Sequence, residues 1–212
     1  MEAYIRGMNQ QTPVRKEDGA AGGSEGKLHR RTVLVGAAGV GVAALAGCLG
    51  EDGDVPDPIT VDGDLACDQC TMQIGQHPGP VGQTHYDDPE DVLEEDRPAQ
   101  FCSSTCTYVH TFEQENAGHD PTATYLTDYS TVDYDVELDD DIEEISSHLA
   151  ADSFAVVEDL TMVVDSDVQG AMGPSMIGFS DADEAEAFQA EYGGDRYDHE
   201  DVTAELVRSL TV

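Results

Sequence analysis

The sequence predicts an α+β fold, two small ββαβ units in tandem, preceded by a signal peptide and an acidic tether. Three observations predict it. Short alternating runs are separated by Gly/Pro loops, two helix patterns each carry a capping residue and a glycine stop, and the landmarks around those helices recur. In order, "ITVDGDLAC" and "GQTHYDD" read as short strands around a Gly/Pro loop at 75–82, and "PAQFC" as a third extended run. Ser103 or Ser104 caps a helix running to about Asn116 and closed by Gly118, with Phe101, Val109 and Phe112 on its apolar side. "TATYLTDYS", residues 122–130, alternates as a strand. The charged stretch 133–144, "DYDVELDDDIEE", is a linker or an exposed edge. In the second half "SFAVVEDL" and "MIGFS" are strands. "DADEAEAFQAEYGG" is a helix with Asp181 as N-cap and Gly193-Gly194 as its stop, and "RYDHEDVTAEL" closes the unit. Phe101, Phe112 and Gly118 correspond to Phe179, Phe188 and Gly194, with phenylalanine spacings of 11 and 9. Each half is small for a self-sufficient core, so the two belong side by side.

The organisation expected along the chain is a leader and twin-arginine lipoprotein signal over 1–47, a disordered tether over 48–58, a first metal-binding unit over 59–130 and a second unit over 131–212. The signal rests on Arg30 and Arg31 followed by fifteen uncharged, mostly small or apolar residues, Val33 to Gly47. That run is short of the roughly 20 residues a spanning helix needs. "LAGC" has the form of a lipobox, with Cys48 the lipidated residue; a plain cleaved signal with an incidental cysteine is the alternative. Met1 and Met8 are both possible starts. The expected location is the extracytoplasmic face of the cell membrane, through the lipid on Cys48.

Six of the nine basic residues and only four of the 45 acidic ones precede Cys48, so the 165 positions from there on hold 3 basic against 41 acidic residues, a net of −38. At molar salt the Debye length falls to about 3 Å, and such a surface becomes tolerable. The composition is that of a halophile's solvated surface and excludes nucleic acid as a partner. No acid–base pair stands out from it, and no enzyme is expected.

Chemistry is concentrated in "CDQCTMQIGQHPGP", residues 67–80, and "FCSSTC", 101–106. Cys67 and Cys70 stand at i and i+3 with Met72 two further on. Cys102 and Cys106 stand at i and i+4, the second on a helix start where a thiolate is favoured. Thiolate and thioether are soft donors that suit Cu(I), and His77 or His85 is available to complete a low-coordinate site. In "AMGPSM" Met172 and Met176 lie in a Gly/Pro-containing stretch where a core role is harder to justify, and Met172 is a candidate second copper ligand from the other half, whereas Met162 reads as core. Disulfides, a thiol redox couple and a four-thiolate zinc site remain open alternatives.

With "ACDQCTMQIGQHPGPVGQ", "AQFCSSTCTYVHTF", "ATYLTDYS" and "FAVVEDLTMVVDSDVQGAMGPSMIGFSDADEAEAFQAEYGG", the chain resembles the NosL family of nitrous oxide reductase accessory lipoproteins, in a haloarchaeal form, over roughly residues 60–205. The resemblance implies an exported, non-enzymatic lipoprotein that binds one Cu(I) and serves assembly of the copper centres of nitrous oxide reductase. The enzyme and its maturation transporter components would be its partners. It also implies two ββαβ units related to the organomercurial lyase core. On it, Cys67 or Cys70 holds the ion with Met72 and with Met172 or His77. Two departures stand out: Thr71 where the family usually has glycine, and no tryptophan after "TDY". The "FC" lead of the second pair also resembles metal-binding domains of the YHS and TRASH type. A zinc- or heavy-metal-binding lipoprotein of that kind, and a thiol–disulfide reductase that keeps copper-site cysteines reduced, are the rival readings.

Overall fold

The computed structural model describes residues 55–211. Arg30, Arg31, Cys48 and the first part of the tether lie outside the described residues.

Strand β1 (Gly82–Tyr86) pairs antiparallel with β2 (Ala99–Phe101); the helix α2 (Ser104–Ala117) follows, and β3 (Pro121–Thr127) returns to the other edge of β1. Between β1 and β2 lies a short helix, α1 (Pro89–Leu93), that the sequence pattern does not signal. Farther on, β7 (Thr161–Gly170) pairs antiparallel with β8 (Gly173–Phe179), α3 (Ala182–Tyr192) follows, and β9 (Asp195–Asp198) returns to the other edge of β7. The two ββαβ units therefore share one topology, a hairpin, a helix, and a third strand beside the first. Phe101 and Phe179 hold equivalent places at the end of the second strand.

Strand membership differs from expectation in two places. "ITVDGDLAC" forms no strand: only a single bridge joins Ala66 to Gln73, and its amides bond elsewhere, Ile59 N–H to Gln83 Oε1 and Val61 N–H to the Leu149 carbonyl. "SFAVVEDL" supplies β6 (Phe154–Val156), which pairs with β3 in the first sheet, while the second unit's opening strand is the following "TMVVDSDVQG". A continuous apolar run cannot tell which of two adjacent sheets will take it. The first sheet thus runs β2-β1-β3-β6. The charged segment 133–144 becomes an edge hairpin, β4 (Val136–Asp139) with β5 (Ile142–Ile145), and β5 joins the far half of β7 in parallel.

Both predicted helices have their predicted stops. Ser103 caps α2 by accepting from the Cys106 N–H at 3.0 Å, and Gly118 ends it at φ 96°. Asp181 caps α3, and α4 (Ala204–Leu210) closes the chain against α2. "TDY" joins the sheets: the buried Asp128 carboxylate accepts from the Ser180 and Ser130 amides at 2.9 and 3.0 Å, and the Tyr129 N–H donates to the Gly178 carbonyl at 2.9 Å. Met162 is fully buried as expected; Met176 is too, against expectation, because its stretch is the strand β8 and not a flexible loop. Among the described residues no helix is long and apolar enough to cross a membrane.

Candidate metal centre

Two local structures bring the thiols together. The first is a tight turn in which the Cys67 N–H donates to the Met72 carbonyl at 2.7 Å and the Thr71 N–H to the Cys67 carbonyl at 2.8 Å. It closes only because Thr71 takes the left-handed conformation, φ 66°, at the position where glycine has no steric penalty. The second is the junction of β2 and α2, with Cys102 just beyond the strand and Cys106 in the first helical turn.

Asp68, inside the first turn, ties the two. Its carboxylate takes both arms of the Arg97 guanidinium at 2.7 and 2.8 Å and also the Gln100 N–H at 2.7 Å, while its own N–H donates to the Gln100 carbonyl at 3.0 Å. A bidentate, largely buried pair of this kind fixes direction as well as distance. The "CDQC" turn is thereby held against the strand that leads into "FCSSTC".

The result is a group of four free thiols, Cys67, Cys70, Cys102 and Cys106, whose sulfurs all lie within 4.8 Å of one another. Cys70 Sγ stands 3.4 Å from Cys102 Sγ, which stands 3.9 Å from Cys106 Sγ. Cys67, Cys102 and Cys106 are 1, 0 and 3% exposed; Cys70 alone is partly open to solvent. Hydrogen bonds from Cys102 and Cys106 pull the Cys67 thiol well below its usual range, against the effect of burial. Cys102, hydrogen-bonded to Cys106 and Cys67 and buried, is pushed far up. Its bond to Cys106 lowers that thiol, but the bond from Cys106 to Cys67 and burial outweigh this, and Cys106 also rises. Among these three, negative charge is favoured at Cys67 and resisted at Cys102 and Cys106.

After residue 31 the only lysine or arginine side chains are Arg97, Arg196 and Arg208; Arg97 is taken up by Asp68 and Glu95, and Arg196 by Glu186.

The remaining candidates are placed as follows. Met72 packs, half-buried, against the same apolar cluster as the cysteines. Met172, 37% exposed, occupies the two-residue turn of the β7–β8 hairpin, and its neighbour Ala171 packs against that cluster too. The hairpin is seated from two sides. The Met176 N–H donates to Ser104 Oγ at 3.0 Å, and Gly170 lies so close to Gly79 of "HPGP" that a β-carbon would meet the Gly79 oxygen at 2.1 Å. His77 is not among the side chains gathered with the sulfurs; it lines a cleft of about 440 Å³ with Glu137, Asp139 and Glu144. His85 is buried on β1, bonded to Gln83 Oε1 and edge-on to Tyr125, and burial lowers its pKa.

Sequence reasoning passed over Asp68 and Arg97, which 29 positions and a surplus of acids conceal, and also His110. The His110 ring is buried one helical turn beyond Cys106, its centroid 4.9 Å from that of Phe101, and its Nε2 has no hydrogen-bond partner. The i, i+4 spacing from Cys106 was the available signal for it.

A family model for NosL matches residues 58–207. Among solved structures, the crystal structure of the copper chaperone NosL from Shewanella denitrificans is similar, with 25% identity and a TM-score of 0.53 over 71% of this chain and 98% of that one. The solution structure of the apo-NosL protein from Achromobacter cycloclastes has 19% identity and a TM-score of 0.33 over 59% and 87%. Among curated proteins none matches.

Proposed function

The chain belongs to the NosL family, and from that premise we propose that it is a membrane-tethered, extracytoplasmic chaperone that binds Cu(I) and delivers it for assembly of the copper centres of nitrous oxide reductase. The observation that carries the reading is the position of Cys70: it is the one partly open thiol at the edge of a buried four-sulfur group, two residues from the half-buried thioether of Met72.

Cu(I) is soft, and sulfur donors select it over the harder ions of a saline medium. We take Cys70 and Met72 as the ligands that meet the ion first, with Met172 contributed by the facing hairpin. Transfer follows from exposure. A partner's thiolate or thioether can bond to an ion held at Cys70 before the last donor of this chain lets go, so no bare ion is released. A cargo site needs this open side. The nitrous oxide reductase recipient and the transporter components that mature it come from the family resemblance. The tether comes from Cys48, and the twin-arginine route from Arg30 and Arg31.

The test is an anaerobic Cu(I) titration of the full chain in molar salt against a competing chelator, followed by incubation of the loaded protein with copper-free nitrous oxide reductase. Tight Cu(I) binding lost in Cys70→Ser and weakened in Met72→Leu, and reactivation of the enzyme by the loaded wild type only, are expected. Undiminished Cu(I) affinity in both variants would remove this site, and failure to reactivate would remove the recipient. Cys48→Ser should shift the protein out of the membrane fraction; unchanged membrane retention would dispose of the lipid tether.

A further inference from the structure

We propose that the chain has two soft-metal positions meeting at Cys70: the copper position above, and an inner tetrathiolate position formed by Cys67, Cys70, Cys102 and Cys106 that keeps a resident tetrahedral divalent ion of the zinc type. It goes beyond the chaperone reading and does not depend on the identity of the cargo.

Geometry is the first support. Four sulfurs about 2.3 Å from a central zinc ion form a tetrahedron whose edges are about 3.8 Å. The sulfur separations of 3.4 and 3.9 Å bracket that edge, and all of them stay within 4.8 Å, so the thiols need to move by only fractions of an ångström to enclose an ion.

Donor count is the second. Roughly two or three soft donors satisfy Cu(I); Met72 packs with Cys70 against one apolar cluster, and Met172 is on the hairpin turn whose Ala171 packs there too. Cys67, Cys102 and Cys106 are then surplus to the cargo, and they are the three that solvent does not reach. Structural sites are closed by four protein ligands, whereas sites that exchange keep an open position. The inner group has the first character and Cys70 supplies the second.

The third support is the fold around the group. Residues 59–81 contribute no strand; they are held by the Asp68 bonds to Arg97 and Gln100, by the buried Val61, Ile74 and Val81, and otherwise by a lone bridge, a short 3₁₀ turn and scattered loop bonds. An ion between Cys67 and Cys70 on one side and Cys102 and Cys106 on the other would bind that segment to the β2–α2 junction. The two-armed layout is how structural zinc stabilises segments with little core of their own. Loading is proton exchange: each sulfur still protonated releases its proton as its metal–sulfur bond forms, and nothing is oxidised or reduced.

The experiment uses the full chain, reduced and metal-free, in molar salt. It is titrated with Co²⁺ as a spectroscopic probe, displaced with Zn²⁺, and then titrated with Cu(I). One equivalent of Co²⁺ should give the intense visible bands of tetrahedral thiolate coordination, bleached by Zn²⁺. Those bands should survive Met72→Leu and change in Cys102→Ser and Cys106→Ser. The zinc-loaded protein should then take up one Cu(I) without losing zinc. X-ray absorption of the zinc-loaded wild type counts the sulfurs directly, independently of how a serine variant folds, and four are expected. Cobalt bound only in octahedral form, fewer than four sulfurs around zinc, or stoichiometric expulsion of zinc by the first Cu(I) would each overturn the inner position. Expulsion by Cu(I) would leave the copper reading standing. Zinc retained with no Cu(I) uptake would remove the copper reading and leave the inner position.

Discussion

At the scale of single residues, the site depends on one backbone conformation that its own sequence resists. Thr71 sits at φ 66°, where a β-branched side chain meets the following carbonyl, and it is exposed, so its side chain recovers little by packing. The left-handed region costs an L-residue about 1–2 kcal/mol, part of which glycine returns through the greater freedom of its unfolded chain. Thr71→Gly is therefore expected to stabilise the protein by about 1 kcal/mol, read as a higher denaturation midpoint, with metal stoichiometry unchanged. A lower midpoint would mean that the turn does not need the left-handed residue. The cysteine pairs themselves were legible from their spacing and from the softness of sulfur. Their meeting was not, because it is set by Asp68 and Arg97, whose pairing is written in neither local pattern.

Among the elements, those with local signals could be read from the sequence and those set by tertiary choice could not. The caps at Ser103 and Asp181 and the stops at Gly118 and Gly193 act within one turn of backbone, and they mark α2 and α3 correctly. The equivalence of the two units was visible in Phe101 and Phe179, yet the strand carrying "SFAVV" went to the first sheet, since a short apolar run fits either. Likewise His77 shares the "HPGP" segment with the copper motif, but the turn sends it toward the acidic β4–β5 hairpin. The β7–β8 hairpin is the element that joins the halves at the site, and Gly170 seats it. Gly170→Ala would drive a β-carbon to 2.1 Å from the Gly79 oxygen and 2.5 Å from Ser175 Oγ, and a main-chain oxygen cannot swing aside. Overpacking of this kind costs about 1–3 kcal/mol. The variant is expected to be less stable by that amount and to bind Cu(I) more weakly, because Met172 moves with the turn, while the four-thiol group keeps its divalent ion. Wild-type stability would show that the hairpin is not held there.

The molecule as a whole encloses a buried group of four thiols within a surface that is almost entirely negative. From Cys48 onward 41 acidic residues face 3 basic ones, two of which are already paired, so attraction between surface charges contributes little and repulsion dominates. That repulsion depends on screening: the Debye length is about 10 Å at 0.1 M salt and about 3 Å at 1 M. Neighbouring carboxylates on the β4–β5 hairpin and along α3 feel one another in the first case and scarcely in the second. The three modest core clusters must outweigh what remains, in a domain of ordinary size with small margins. The fold should accordingly lose stability steadily as salt is withdrawn and should unfold at low ionic strength. A divalent ion in the inner thiol group should shift that transition to lower salt, since binding to the folded state alone adds to its stability. Circular dichroism across a KCl series, with and without one equivalent of Zn²⁺, measures both effects. A transition indifferent to salt would mean that the acidic surface is not what limits stability. A salt-dependent transition unmoved by zinc would mean that the sulfur group is no part of what holds residues 59–81 to the fold.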